Sequence, residues 1–406
     1  MGDKKKRKKW TKFRHRVITG LARLVLHPYT YLKFGVKVER FKEQGDRNYL
    51  IVLNHQTVFD QFFVGMAFKG PIYYVATEDI FSNGWISKVL RYVIAPIPIK
   101  KQTTDVQAVR NCAKVAKEGG SIAVAPEGNR TYSGKTAYIK PAIVKLVRAL
   151  NLPLLIFRIE EGYGVQPRWS DVVRRGRMRA GVTRVVEPAE YKEMSDDELY
   201  VLIKDGLDVN EAKVTGTFHH KKLAEYLERA IYVCPECGLS LFQSHGDVIE
   251  CKNCGRKVRY LPTKELKGEG FEFPFRFVAD WYDYQCDFVN KLDYTLYLDK
   301  PMYEDEVSLW EVILYHRKQL IEKEVKLSLY GDRIVIEPTD GNKQVYSFDE
   351  LSVVTVLGRN KLNFYCGDKV YQVKAGKRFN ALKYVNMFYH YKNMTERNED
   401  GEFLGL

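Results

Sequence analysis

Two short polar blocks follow apolar segments of the chain, and the first contains a pair suited to acid–base chemistry. The block NHQTVFD, at 54–60, comes directly after the apolar run 48–53. On a regular helix His55 and Asp60 point about 140° apart, so they meet only if His55 lies in a loop and Asp60 begins the helix. The Asp60 carboxylate then accepts the proton of one imidazole nitrogen, and the other nitrogen can take a proton from an alcohol. Such a pair is half of a Ser-His-Asp system whose nucleophile comes from the substrate.

The second block, APEGNRT at 125–131, suits recognition of an anionic group. Arg130 offers the planar fork that binds phosphate through two hydrogen bonds. Glu127 either holds a hydroxyl of the bound molecule or pins the arginine, and Gly128 belongs to the loop between them. Taken alone, each block is more typical of a solvated loop with a capping acid or an exposed ion pair. Their combination, in this order and each after an apolar strand, indicates a functional site.

Together the two blocks resemble those of the glycerol-phosphate acyltransferase superfamily, and above all its 1-acylglycerol-3-phosphate acyltransferase branch. That family has an Asn-His-x-x-x-x-Asp block followed, at this separation, by Pro-Glu-Gly-x-Arg. The resemblance implies that His55 is a general base oriented by Asp60, and that Glu127, Gly128 and Arg130 bind the substrate. A fatty acyl group would move from acyl-CoA or acyl carrier protein to a glycerol-phosphate lipid. The usual acceptor of that branch is 1-acyl-sn-glycerol 3-phosphate, which becomes phosphatidic acid.

A third family block is an apolar stretch that ends in a phosphate-binding arginine. The matching segment of this chain is 95–101, where the arginine is replaced by Lys100 or Lys101. Lysine keeps the positive charge but loses the bidentate fork. The resemblance therefore assigns phosphate binding to one of these two lysines without choosing between them, and it leaves room for a less usual acceptor.

The segments around the blocks alternate between apolar strands and amphipathic helices. Strands are predicted at 48–53, 71–76, 120–125 and 152–157, with helices at 105–118 and 139–150. Buried strands that alternate with helices predict an α/β domain, with a mostly parallel sheet flanked by helices. In such sheets the functional residues gather at the carboxyl ends of strands, where both blocks fall.

The N-terminal segment predicts a contact with an anionic surface. Residues 1–16 contain nine Lys or Arg and one Asp, and the whole chain has a formal net charge of +14. A helical pattern follows, with large apolar residues mostly on one face: Trp10, Phe13, Val17, Leu21, Leu24 and Val25. We expect peripheral binding at the cytoplasmic side of an anionic membrane, the alternative being a basic tail before an ordinary docking helix. Neither a spanning helix nor a signal peptide is expected.

Two Cys-x-x-Cys pairs, Cys234 with Cys237 and Cys251 with Cys254, predict a zinc ribbon. Four thiolates fill a tetrahedral shell, so this zinc would be structural and would leave no open position for catalysis. The chain has seven cysteines in total. An odd number that includes two Cys-x-x-Cys pairs favours a metal site over a disulfide framework. The few basic residues around the second pair do not predict base recognition, so nucleic acid is not expected as a partner.

The last third of the chain predicts a different kind of module. Short alternating strands from about residue 295, closed by a helix at 380–391, predict a β-rich domain that resembles pleckstrin-homology-like domains. A polar helical stretch is predicted at 191–230. The expected order is a membrane-binding segment at 1–35, an acyltransferase domain at 36–225, a zinc ribbon at 228–262, an aromatic-rich connector at 263–300 and a β-rich domain at 301–396.

Two other functions remain open from the sequence. The first is a catalytically weak lipid-binding scaffold that keeps the acyltransferase fold. The second is a nucleic-acid-binding protein built on the ribbon and the basic tail. The intact His55, Asp60, Glu127 and Arg130 argue against the first, and the second leaves half of the chain without a role.

Overall fold

The computed structural model describes residues 9–82, 84–99, 105–313, 316–338 and 341–396. The helices are α1 (Phe13–Phe34), α2 (Asp60–Ala67), α3 (Trp85–Val93), α4 (Val106–Lys117), α5 (Ala142–Leu150), α6 (Gly162–Val165), α7 (Pro188–Lys192), α8 (Asp196–Leu207), α9 (Val278–Asn290) and α10 (Leu382–Thr395). The strands are β1 (Val36–Val38), β2 (Leu50–Leu53), β3 (Ile72–Thr77), β4 (Ile97–Ile99), β5 (Ser121–Val124), β6 (Leu154–Glu160), β7 (Met178–Val186), β8 (Val233–Cys234), β9 (Gly238–Leu239), β10 (Phe242–His245), β11 (Val248–Cys251), β12 (Lys257–Tyr260), β13 (Leu266–Gly268), β14 (Tyr303–Glu311), β15 (Gln319–Leu329), β16 (Arg333–Pro338), β17 (Gln344–Ser347), β18 (Leu351–Leu357), β19 (Lys361–Cys366) and β20 (Lys369–Lys374).

The chain divides into two compact units whose segments interleave along the sequence. The first unit takes the described parts of Met1–Pro126, with Ile139–Glu160 and Met178–Asp208. The second unit takes Glu127–Tyr138, Glu161–Arg177 and the described parts of Val209–Leu406.

The first unit contains a seven-stranded sheet in the order β1-β7-β6-β2-β5-β3-β4. Every neighbouring pair is parallel except β6 with β7, which is antiparallel. All four residues of the central strand β2 are buried. An uninterrupted apolar strand is typical of a parallel sheet with both faces covered, which explains why β2 shows no alternation in the sequence. The predicted α/β class is confirmed.

Strands β2 and β5 are direct parallel neighbours, with Ile51 opposite Ala123 and Val52 opposite Val124. The first polar block begins immediately after Leu53, and Ala125 with Pro126 follow Val124. The carboxyl ends of these two strands therefore lie side by side at one edge of the sheet. This edge is where ligands of α/β folds bind.

The first helix begins later than its apolar pattern suggests. Trp10 was expected on the apolar face of that helix, but it precedes Phe13 and its indole Nε1 donates to the carbonyl of Ala95 at 2.8 Å. The Glu118 carboxylate accepts from the backbone N–H groups of Trp10 and Thr11 at 2.7 and 2.8 Å. These contacts fix Trp10 within the first unit but outside the helix, so its predicted place in the helical pattern is wrong. Residues 1–8, with most of the basic run, lie outside the described residues.

The second unit is β-rich. It contains a two-stranded sheet of β8 and β9, a four-stranded sheet in the order β10-β11-β12-β13, and a seven-stranded sheet in the order β17-β16-β15-β14-β20-β19-β18. The pairs of the seven-stranded sheet are antiparallel, and α10 packs on β18. The predicted β-rich module with a closing helix is confirmed. The predicted helical stretch 191–230 is wrong beyond Leu207, where a Gly- and Thr-containing segment replaces the helical pattern.

Candidate active site

The first polar block forms a compact His–Asp pair at the end of β2. His55 lies in the loop after the strand, and Asp60 is the first residue of α2. The imidazole Nδ1 of His55 lies 2.7 Å from a carboxylate oxygen of Asp60. Asp60 is 1% exposed, whereas the His55 side chain is 28% exposed. The buried carboxylate thus orients an imidazole that solvent or a substrate can reach.

The carboxylate of Asp60 is held by the backbone of its own loop. The N–H groups of Gln56 and Thr57 donate to it at 2.6 and 2.9 Å, and the Thr57 hydroxyl donates at 2.7 Å. These bonds stabilise a charged acceptor inside the unit and fix its orientation. An ionised Asp60 makes Nδ1 the protonated nitrogen of a neutral His55, so that Nε2 is the basic one.

Asn54 connects the end of β2 to the neighbouring strand β6. Its side-chain amide donates to the carbonyl of Ile159 at 2.8 Å and accepts from the N–H of Ile159 at 2.7 Å. The residue is fully buried. Because His55 is the next residue, this reciprocal pair sets the direction in which the His55 loop leaves the sheet. The sequence marked Asn54 as part of a motif but gave it no role.

From Glu127 onward the second polar block belongs to the second unit, as part of the loop Glu127–Tyr138. Glu127 is buried, and its carboxylate accepts from the N–H of Ala137 at 2.8 Å. Gly128 has a φ of +70°, a conformation that a residue with a Cβ adopts only under strain. Arg130 is 7% exposed. The glycine is therefore required by the backbone, and the glutamate shapes the loop that carries the arginine.

Comparison with known families decides the class of the segment that holds both blocks. Residues 35–160 match the family model described as Acyltransferase. The chain carries an acyltransferase domain. A second model, a zinc ribbon described as DNA directed RNA polymerase, 7 kDa subunit, matches residues 227–262.

Among solved structures, the acyltransferase domain is similar to one from Thermotoga maritima, the 1-acyl-sn-glycerophosphate (LPA) acyltransferase PlsC. The identity is 22% and the TM-score 0.41, over 48% of this chain and 78% of that one. No curated protein matches the chain. The acyltransferase domain is therefore assigned from the family-model match to residues 35–160.

The lysines predicted to replace the family arginine cannot be placed. Lys100 and Lys101 both lie outside the described residues. The strand β4 ends at Ile99, directly before them, and is the edge strand beside β3 in the acyltransferase domain.

The second unit brings the four predicted zinc ligands together. The sulfur atoms of Cys234, Cys237, Cys251 and Cys254 all lie within 4.8 Å of one another, and Cys234 lies 3.9 Å from Cys254. Zinc bound tetrahedrally by thiolates at about 2.3 Å requires sulfur atoms about 3.8 Å apart, so the cluster fits this ion. Four sulfur donors are typical of a structural site.

Thr57 offers a first test of the pair in the acyltransferase domain. Thr57→Val keeps the shape of the side chain but removes its hydrogen bond to Asp60. We expect turnover to fall about tenfold, because a hydrogen bond to a charged group contributes about 1.5–3 kcal/mol. Thr57→Ser keeps the hydroxyl and should remain within about twofold of the wild type. Steady-state acyl transfer measures both, and a folded Thr57→Val variant with full turnover would exclude this role.

Proposed function

We propose that this chain moves a fatty acyl group from acyl-CoA or acyl carrier protein to the hydroxyl of a glycerol-phosphate lipid, with 1-acyl-sn-glycerol 3-phosphate as the acceptor. The observation that carries the proposal is the His55–Asp60 pair at a strand end of the acyltransferase domain. A buried carboxylate bonded to a partly exposed imidazole is the arrangement needed for a general base that acts on an alcohol. The product with this acceptor is phosphatidic acid.

The reaction needs one proton relay. Nε2 of His55 takes the proton of the acceptor hydroxyl as the oxygen attacks the thioester carbonyl, and Asp60 stabilises the imidazolium that forms. The tetrahedral intermediate then collapses with cleavage of the carbon–sulfur bond. The imidazolium returns its proton to the departing thiolate, so the base is regenerated without a covalent enzyme intermediate.

We assign the acceptor phosphate to Arg130, helped by Lys100 or Lys101, within a loop shaped by Glu127 and Gly128. A guanidinium binds a phosphate through two parallel hydrogen bonds, and a lysine adds a point charge.

We further propose that the four cysteines bind one structural zinc ion. The test of the whole proposal is direct, since the purified protein supplied with acyl-CoA and 1-acyl-sn-glycerol 3-phosphate should release phosphatidic acid.

We also propose that the protein binds the surface of an anionic membrane through α1 and α3. Among the described residues no helix combines the length and the hydropathy that spanning a bilayer requires. The helix α1 instead exposes large apolar side chains at helical spacing: Phe13, Val17, Leu21, Leu24, Val25 and Leu32. The helix α3 exposes Trp85, Ile86, Val89 and Tyr92. Arg14 connects the two helices, since its Nε donates to the carbonyl of Tyr92 at 3.1 Å.

Such exposed apolar faces with basic neighbours are typical of helices that lie in a membrane interface. Lys12, Arg16, Lys88 and Arg91 are exposed on the same two helices or next to them. This surface would bring the acyltransferase domain to its lipid acceptor, whose acyl chain partitions into the bilayer.

Replacing Leu21 and Leu24 together by glutamate tests the membrane surface. We expect the affinity for vesicles of phosphatidylcholine and phosphatidylglycerol to fall at least about tenfold, because each leucine contributes roughly 1.5–3 kcal/mol when buried. Val201→Glu is the matched control, since Val201 is exposed on α8, outside the proposed surface. Vesicle sedimentation measures the effect, and added salt should weaken wild-type binding. Equal binding by the double variant and the control would contradict the surface.

A further inference from the structure

A fully buried arginine connects the Arg130 loop to the C-terminal β module, within the second unit. Arg168 is 2% exposed. Its Nη1 donates to the carbonyl of Arg130 at 2.9 Å, and its Nη2 donates to the side-chain oxygen of Asn129 at 3.2 Å. On its other side it donates to the carbonyls of Val356 and Gly358 at 3.0 and 2.9 Å. These two carbonyls lie at the end of β18 and in the turn that leads to β19.

Tyr132 makes a second connection between the same two segments. Its hydroxyl donates to the carbonyl of Arg359, in the β18–β19 turn, at 3.1 Å. The guanidinium of Arg168 lies 4.3 Å from the centre of the Tyr132 ring. Tyr163 donates from its hydroxyl to the carbonyl of Tyr132 at 3.2 Å. The loop is thus held at three positions after Gly128, namely Asn129, Arg130 and Tyr132.

The partners of Arg168 are unusual for a buried cation. Within the described ranges it makes no ion pair with a carboxylate, and it donates to three backbone carbonyls and the Asn129 side-chain oxygen and lies against the face of the Tyr132 ring. Burial lowers the pKa of Arg168, as expected for a desolvated cation. A site built only for stability would be served as well by apolar packing. The guanidinium offers three nitrogens in a rigid fork, and Arg168 uses all three to donate to both segments at once.

We propose that Arg168 is a positioning residue for acceptor binding, through which the C-terminal β module sets the geometry of the Arg130 loop. This role rests on the proposed function of Arg130. The carbonyl that Arg168 holds belongs to Arg130 itself, so the hydrogen bond fixes the backbone from which the phosphate-binding side chain extends. A shift of this backbone would move the guanidinium away from the bound phosphate. The module therefore acts in recognition of the acceptor.

Kinetics of an Arg168→Lys variant test this role. Lysine keeps the charge, but its single nitrogen cannot reproduce the four hydrogen bonds of the guanidinium fork, so we expect the KM for 1-acyl-sn-glycerol 3-phosphate to rise about tenfold. The turnover number and the KM for acyl-CoA should stay within about twofold. Arg174→Lys is the matched control. Arg174 is equally buried and stacks on Trp169 and Tyr260, but it donates to Leu223 and Tyr260 instead of the loop.

If Arg168→Lys does not fold, the less disruptive variant Tyr132→Phe and backbone hydrogen exchange still test the role. Tyr132→Phe removes only the hydrogen bond to Arg359, and we expect the acceptor KM to rise about threefold with turnover unchanged. Backbone hydrogen exchange of Glu127–Tyr138 should quicken in both variants and stay unchanged in Arg174→Lys. Normal acceptor KM and normal exchange in Tyr132→Phe and in folded Arg168→Lys would overturn the role. A wild type without any acyl transfer would refute the proposed function instead, and the exchange measurement would still report whether Arg168 holds the loop.

Discussion

His55→Ala will lower acyl transfer at least about a thousandfold and leave the protein folded. General-base catalysis contributes about 10²–10⁴ in rate, and His55 is the histidine of the loop that follows β2. The side chain is 28% exposed and projects from a loop, so its removal leaves no cavity in the core. Acyl transfer from radiolabelled acyl-CoA measures the loss, and thermal unfolding verifies the fold.

His316→Ala provides the control for this substitution, because His316 is exposed in the C-terminal module. It should keep wild-type turnover. Asp60→Asn should show an intermediate loss, since the amide can no longer stabilise the imidazolium but still occupies the same space. Turnover by folded His55→Ala close to that of His316→Ala would remove His55 from the mechanism.

Cys251→Ser will remove zinc from the protein and strongly destabilise the second unit. Binding of a structural zinc ion contributes on the order of 10 kcal/mol to small domains, and Cys251 is a buried member of the cluster. The ribbon is firmly attached to its surroundings. Gln285 accepts from the N–H of Tyr232 at 2.7 Å, and Tyr303 donates to the Tyr232 carbonyl at 3.1 Å. We therefore expect the Tm of this unit to fall by more than about 10 °C.

The metal content and the unfolding curve check this prediction together. One zinc ion per chain is expected in the wild type, and none in Cys251→Ser. Cys366→Ser is the matched control, because Cys366 is a cysteine of the same unit outside the cluster, and it should keep both zinc and stability. A Cys251→Ser variant as stable as Cys366→Ser would show that the cluster does not support the fold.

The sequence predicted the contact between His55 and Asp60 because the relevant information is local. Five positions separate His55 from Asp60, and a strand that runs into a loop and a helix brings them together. The fold class was predictable for a similar reason, since buried parallel strands form continuous apolar runs. The four cysteines also lie in two local pairs, so their spacing alone indicated that they converge.

The contacts that hold these groups in place depend on distant residues. Asn54 bonds to Ile159, which lies 105 residues away, and Arg168 bonds to Gly358, which lies 190 residues away. Arg168 lies in the segment QPRWS, where no hydrophobic period or motif in the sequence predicts a distant partner. Trp10 was misplaced for the same reason, because the apolar period continued through it while Glu118 and Ala95 held it outside the helix. Short-range sequence patterns predict the helices, strands and motifs. The positions of the motif residues depend on hydrogen bonds between residues that are distant in the sequence.

The boundaries of the five predicted segments remain a prediction. The two compact units interleave along the chain, since Glu127–Tyr138 and Glu161–Arg177 belong with the C-terminal part. No composition shift or linker marks these segments in the sequence. Their membership follows from long-range contacts such as that between Tyr132 and Arg359, which no local pattern reveals.

The identity of the lipid product tests the central claim most directly. Wild-type protein is incubated with acyl-CoA and 1-acyl-sn-glycerol 3-phosphate on anionic vesicles, and the lipids are identified by mass spectrometry, with His55→Ala as the blank. We expect phosphatidic acid carrying the donor chain from the wild type and none above background from His55→Ala. Free fatty acid alone would indicate thioester hydrolysis, and no product from acyl-CoA or from acylated acyl carrier protein would favour a lipid-binding scaffold; either result would contradict the proposed transfer.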